Sequence, residues 1–190
     1  MFAVEAFPAT ELGNASFLLV DQDHEVGLVI DPHRDVDGYL TRAEALGIKL
    51  THALDTHLHN DFASGRGELA AEAGTAIGEL DAGQELAFGG LTLRALHTPG
   101  HTPDHKSYLL VEGERPRALF SGGAVMIGAI ARTCSALTWL STLRSRLCAR
   151  CRFVCAGCQT TLQSFRLTGA APSAESEDAA GTRPRSATSG

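Results

Sequence analysis

Residues 2–7 alternate apolar and polar side chains, the period-two pattern of a half-buried strand. Residues 16–20 and 26–30 are β-rich runs separated by the polar Asp21-Gln22-Asp23-His24-Glu25, which predicts a hairpin. Val36, Tyr39, Leu40, Ala43 and Leu46 then recur at helical spacing, and Gly47 stops that helix. Residues 48–55 read as a buried strand, and residues 65–73 as a second helix closed by Gly74. Residues 85–95 enclose Gly89-Gly90, a hairpin turn, and two short strands follow at 107–111 and 118–120. Strands first and βαβ-like crossovers after them predict a layered α/β protein. In such a fold the site lies at the C-terminal ends of strands.

The pattern changes after residue 133. Leu137, Leu140, Leu143 and Leu147 are roughly in phase for a short helix within 137–165, but the last 20 residues contain almost no large apolar side chain. All eight histidines precede Thr133 and all five cysteines follow it. Residues 1–133 carry a net charge of −10, whereas residues 134–190 carry +4, with seven arginines and no lysine. The chain is therefore read as a folded segment, 1–133, and an atypical Cys/Arg/Ser-rich tail, 134–190, expected to be largely disordered.

At 190 residues the chain suits one domain, and no apolar run approaches the roughly 18 residues of a membrane span. Met1-Phe2-Ala3-Val4-Glu5 lacks the basic start of a signal peptide, so a cytoplasmic location is the expectation. The net charge of −6 argues against nonspecific binding to nucleic acid or to an anionic membrane. Oligomeric state is not legible.

Chemistry concentrates in two loops. Asp55-Thr56-His57-Leu58-His59-Asn60-Asp61-Phe62 follows a predicted strand directly. His57 and His59 stand at i, i+2 where that strand becomes a loop, so both imidazoles can turn toward one point. Leu96-His97-Thr98-Pro99-Gly100-His101-Thr102-Pro103-Asp104-His105 follows another strand, and Pro99-Gly100 turns the chain tightly before His101. Imidazole suits Zn, Fe and Ni, and a carboxylate such as Asp61 hardens a site toward Fe or Mn. His24, His33 and His52 lie outside these loops and are read as surface or hydrogen-bonded histidines.

These loops carry a family resemblance. Residues 56–61 resemble the signature loop of the metallo-β-lactamase superfamily, and residues 97–102 its second histidine loop. Within it the chain is similar to the persulfide dioxygenase and glyoxalase II branch, especially bacterial forms associated with rhodanese domains, through Phe62 and the Thr-Pro-Asp-His-Lys-Ser-Tyr run at 102–108. The resemblance implies an αββα sandwich, here incomplete at its C-terminus. It makes His57 and His101 metal ligands, with His59 a third ligand in a zinc-type site or a hydrogen-bonded neighbour in the mononuclear iron type. Asp61 would bind a second metal or hold the site water, as the catalytic residue. The activity implied is oxidation of a thiol persulfide to sulfite and thiol with Fe(II). The alternatives are a Zn-dependent thioester or lactone hydrolase of the glyoxalase II kind, and a degenerate metal-free domain. The partner in either enzyme is a small thiol persulfide or thioester.

Two departures bear on this. The fourth motif histidine is replaced by Phe62, which disfavours a binuclear hydrolase site. The carboxylate of the iron-type facial triad belongs at Gly123, leaving Asp61, His59, His105 or water to fill its place; with His57, His59 and His101, His105 completes the expected metal set. The tail departs altogether. Cys148-X2-Cys151-X3-Cys155-X2-Cys158 leaves only three residues between its halves, where paired zinc knuckles need about 12–20. It also lacks iron–sulfur spacing. A truncated or frameshifted C-terminal part is the expectation, and it fails if no single-base change in the gene restores a histidine-containing ending.

Overall fold

The computed structural model describes residues 1–9, 14–60, 62–126, 129–130 and 152–154, with side chains as far as residue 124. Strands β1 (Phe2–Ala9), β2 (Asn14–Asp21) and β3 (Val26–Ile30) form an antiparallel meander. Helix α1 (Asp37–Leu46) crosses to β4 (Lys49–Leu54), parallel to β3, and α2 (Arg66–Ala73) crosses to β5 (Ala76–Ile77), parallel to β4. The first sheet thus runs β1-β2-β3-β4-β5. Gly47 and Gly74 take φ of 64° and 65° just past the two helices, the left-handed exit that glycine adopts without steric cost.

The second sheet is built from β6 (Glu85–Phe88), β7 (Leu91–His97), β8 (Lys106–Glu112) and β9 (Arg115–Phe120), all antiparallel. A hairpin of β10 (Val125–Met126) and β11 (Ala129–Ile130) follows. Strand β12 (Arg152–Val154) adds parallel to β9 and brings one segment of the tail into this sheet. Apart from β12, the span 137–165 in which a short helix is expected, the four cysteines and the rest of the tail lie outside the described residues.

Successive residues of β2 point to opposite faces, and both faces are buried. Phe17 and Leu19 turn inward and join Leu28, Ile30 and Leu54 against Leu93, Ala95, Tyr108, Leu110 and Phe120 of the second sheet. Leu18 and Val20 turn outward and pack with Val29 and Ala53 beneath Tyr39 and Ala43 of α1 and Leu69 of α2. The result is a helical layer on a two-sheet sandwich. This arrangement matches the expected architecture in three of its four layers; among the described residues no helix lies on the outer face of the second sheet. Among the described residues, the buried members of the intersheet core run from Ala15 to Phe120, with Phe2 and Val4 packed against them. Truncating one of its fully buried leucines to alanine would cost about 2–5 kcal/mol. No described helix is long and apolar enough to cross a membrane.

Candidate metal centre

The parallel register of β3 and β4 sets Ile30 opposite Leu54. Asp31 and Asp55 therefore leave two adjacent buried strands side by side, and the Asp31 N–H donates to the Leu54 carbonyl at 2.8 Å. Asp31 takes φ of 52°, uncommon for a residue with a Cβ. Its surroundings hold it there. The Ser16 hydroxyl donates to its carbonyl, and its Oδ1 accepts the Thr56 N–H at 2.6 Å and His59 Nε2–H at 3.0 Å. Its Oδ2 accepts the Thr56 hydroxyl at 3.0 Å.

The loop after β4 gathers histidines around His57. Its ring centroid lies 4.1 Å from that of His59, 4.7 Å from His101 and 5.0 Å from His105. His57 Nδ1 is 2.8 Å from the Thr56 hydroxyl. His57 and His105 are buried, and the His59 imidazole is only 4% exposed. His101 is exposed on its loop. All four histidines expected at the metal are thus brought together, although they come from two sheets.

Backbone and side-chain contacts tie the two loops. The Lys106 N–H donates to the Thr56 carbonyl at 2.7 Å, and the Leu58 N–H donates to Asp104 Oδ2 at 3.1 Å. The Tyr108 hydroxyl donates to the Asp55 carbonyl at 2.7 Å. Within the second loop, His105 Nδ1 is 2.8 Å from the Thr98 hydroxyl, which in turn meets Ser107 Oγ at 2.9 Å.

Sequence reasoning missed Asp31 and Asp55. Among the described residues, the three-donor grouping within 4.8 Å is Asp31, Asp55 and His59, rather than a set of histidines. Both carboxylates already have partners: Asp31 has Thr56 and His59, and Asp55 has the Arg66 guanidinium at 2.8 Å and the Ser64 hydroxyl at 2.9 Å. Asp31 thus braces the first histidine loop directly, whereas Asp55 is tied to Ser64 and to Arg66 at the start of α2. Burial pushes the Asp55 carboxyl above its ordinary range, and Arg66 opposes that push. The sequence shows only that each of two apolar runs ends in aspartate; the register that sets them side by side comes from the structure.

His24 and His52 stand apart from the cluster, His24 against Asp21 and His52 against Thr51. His33 lies nearer, its ring 5.4 Å from Phe62. The catalytic candidate Asp61 lies outside the described residues.

The donor chemistry fits a divalent cation. Burial lowers the His105 pKa to about 3, so the ring is neutral, and its buried Nε2 has no hydrogen-bond partner. Neutral imidazole is the form that binds metal. The departure at Gly123 is also visible: a Cβ there would stand 2.7 Å from Cγ and Nε2 of His101. Position 123 therefore faces a candidate ligand, but supplies it no carboxylate.

The chain matches no protein-family model. It is 32% identical over 147 residues to a hydroxyacylglutathione hydrolase of a Synechococcus strain, covering 68% of this chain and 56% of the relative. It is 30% identical over 138 residues to mouse mitochondrial persulfide dioxygenase ETHE1, covering 62% of this chain and 50% of that protein. The chain spans about half the length of these curated relatives. A metallo-β-lactamase from Staphylococcus aureus superposes with a TM-score of 0.75 at 27% identity, covering 82% of this chain and 55% of that one. ETHE1 from Myxococcus xanthus gives 0.72 at 25% identity, covering 81% and 75%. By fold and by its sequence relatives, the chain belongs to the metallo-β-lactamase superfamily, in the branch that holds the glyoxalase II-like hydrolases and ETHE1.

Proposed function

We propose that this chain is a mononuclear metal-dependent enzyme that oxidises the outer sulfur of a small thiol persulfide, giving sulfite and the thiol. One observation carries the reading. The Phe62 ring lies 4.1 Å from the His59 imidazole, tilted by 34°, and 5.4 Å from His33. An apolar ring thus takes the place of the fourth motif histidine, and it cannot ligate a second ion. His57 and His101 would hold the metal, with His59 beside them and His105 behind. Iron, when bound, supplies open positions at which a sulfur ligand and O₂ meet. The protein's part is to orient the imidazoles, to keep His105 neutral by burial and to bury one side of the site.

A zinc thioester or lactone hydrolase is the second reading, favoured by the contact of His57 with both His59 and His101. Three imidazoles holding zinc and its hydroxide would suffice for that chemistry. The test is metal analysis of untagged protein with two assays. Stoichiometric iron with oxygen uptake on a low-molecular-weight persulfide supports the dioxygenase, and zinc with thioester cleavage supports the hydrolase. Protein that retains no metal after supplementation and turns over neither substrate would sink both. The role proposed is in cytoplasmic sulfur metabolism, on a small thiol carrier.

A further inference from the structure

The pairing of β7 with β8 decides which of their side chains look into the space between the sheets. Leu93 lies opposite Leu110 and Ala95 opposite Tyr108, and all four belong to the intersheet core. Side chains alternate along a strand, so the next pair on that face is His97 with Lys106. Leu96 and Ser107 belong to the other face, where Ser107 meets the Thr98 hydroxyl. His97 ends β7 and Lys106 begins β8, so the pair flanks the exit of the second histidine loop. The first histidine loop closes in from the side, because the Lys106 N–H donates to the carbonyl of Thr56, the residue before His57. Ala95 and Tyr108 are sealed beneath, whereas Lys106 is half-buried and His97 is exposed. The inward face therefore opens to solvent at this pair, beside the metal position.

Lys106 has nothing to neutralise it. Arg66, the other cation near the histidine loops, is held by Asp55 at 2.8 Å. Arg34, Arg42, Arg94 and Arg117 each pair with a glutamate. Lys49 and Arg115 begin β4 and β9, at the ends of those strands remote from the site. Among the described residues, the Lys106 ammonium has neither a hydrogen bond nor an ion pair. A half-buried ammonium has lost part of its hydration, and an anion restores what water no longer gives. Residues 1–133 carry a net charge of −10, so the segment as a whole repels anions, and only a local cation can hold one at the site.

We propose that Lys106, with His97 beside it, is the subsite for a carboxylate on the thiol carrier. The substrate is then an anionic thiol persulfide whose carboxylate lies a few bonds from its sulfur. The carboxylate rests against the ends of β7 and β8 and directs the sulfur toward His57 and His101. The persulfide part of this statement rests on the proposed function; the anion subsite belongs to the protein whatever the metal does.

The probes are β-mercaptopropionate and its methyl ester, an anion and a neutral thiol of nearly the same shape. Each is titrated into the full-length, metal-free protein, and the backbone amides of His97 and Lys106 are followed by ¹H–¹⁵N correlation. The wild type should bind the acid about 3–10-fold more tightly than the ester, a gain between an exposed ion pair and a buried charged hydrogen bond. Lys106→Met keeps the apolar stem and should bring the two affinities together, and Lys106→Arg should restore the preference. In oxygen uptake by the metal-loaded protein, the persulfide of the acid should show the lower KM by a similar factor, and Lys106→Met should remove that difference. Equal affinity for acid and ester in the wild type, or a preference that survives Lys106→Met, overturns the proposal. Binding of the acid through Lys106 without oxidation of either persulfide would uphold the anion subsite and reject the dioxygenase.

Discussion

Gly123 faces the His101 imidazole so closely that an added Cβ would meet Cγ and Nε2 at 2.7 Å. The neighbouring Gly122 is different: its φ is 48°, and a Cβ there would run into the Thr56 side chain and approach His105 Nε2 to 2.9 Å. The two glycines look alike in sequence and differ in what they tolerate. Gly123 has no left-handed φ, and the ring it would displace sits on an exposed loop.

Gly123→Asp should therefore fold, with the His101 ring yielding by a small rotation that keeps it at the metal, and supply a carboxylate beside it. In chelator it should leave stability unchanged or lower it, because a carboxylate near buried groups loses hydration. With anaerobic Fe(II) it should raise the unfolding temperature. Gly122→Ala should destabilise in both conditions, by about 1–2 kcal/mol for the left-handed backbone and more for the contact with Thr56. Thermal unfolding of both variants with and without Fe(II) is the measurement. An equal shift for Gly123→Asp in the two conditions would mean that no metal sits opposite position 123.

His57→Ala and His101→Ala should each abolish stoichiometric metal, whereas His24→Ala should not, since His24 pairs with Asp21 at 2.8 Å well away from the cluster. His33→Ala should retain metal but lose some stability, because its ring supports Phe62. Metal analysis after gel filtration reads all four. Comparable loss in all of them would indicate general unfolding rather than a site.

The elements that periodicity marks are those the fold contains, from β1 through β9 with both helices, because each buries a stripe or face of apolar residues that the sequence displays. Strand β5 is the exception, because Ala76 and Ile77 are two exposed edge residues with no pattern to show. The histidine loops are legible as motifs, and the structure gathers the other three rings around His57. Asp31 is not legible in the same way. Its role depends on the register that sets Ile30 beside Leu54, and pairing across a βαβ crossover is not written in either strand alone. Asp55 is hidden for the same reason, and its partner Arg66 comes from the start of α2.

Phe62→His should restore a donor beside His59, where the aromatic ring now lies at 4.1 Å. The expected outcome is binding of a second metal ion and a gain in thioester cleavage relative to oxygen uptake. Zinc titration followed by both assays checks it. Unchanged stoichiometry, with the variant folded, would show that the side chain at 62 does not face the metal position and would remove the main support for a mononuclear site.

His105 gives the protein a pH dependence of known sign. The ring is fully buried, and burial lowers its pKa from 6.5 to about 3, with repulsion from His57 adding to the effect. In the unfolded chain the group regains its ordinary value. Between about 6.5 and about 3 the unfolded state therefore holds a proton that the folded state does not. Stability must fall as pH drops through that window, by about 1.4 kcal/mol per pH unit for one proton. Above 6.5 neither state is protonated at this site and its contribution is flat. His33 and His52 are also shifted downward by burial and add slopes of the same sign, so the wild-type curve alone cannot isolate His105. His105→Gln keeps a polar group facing the Thr98 hydroxyl and removes the titration. The difference in unfolding free energy between wild type and variant, measured by urea in chelator from pH 7.5 down to about 4.5, should shrink by roughly 1.4 kcal/mol per unit below 6.5. A difference that stays constant across the window would mean that His105 titrates in the folded protein as it does in the unfolded chain, and that the ring is not held neutral for a metal.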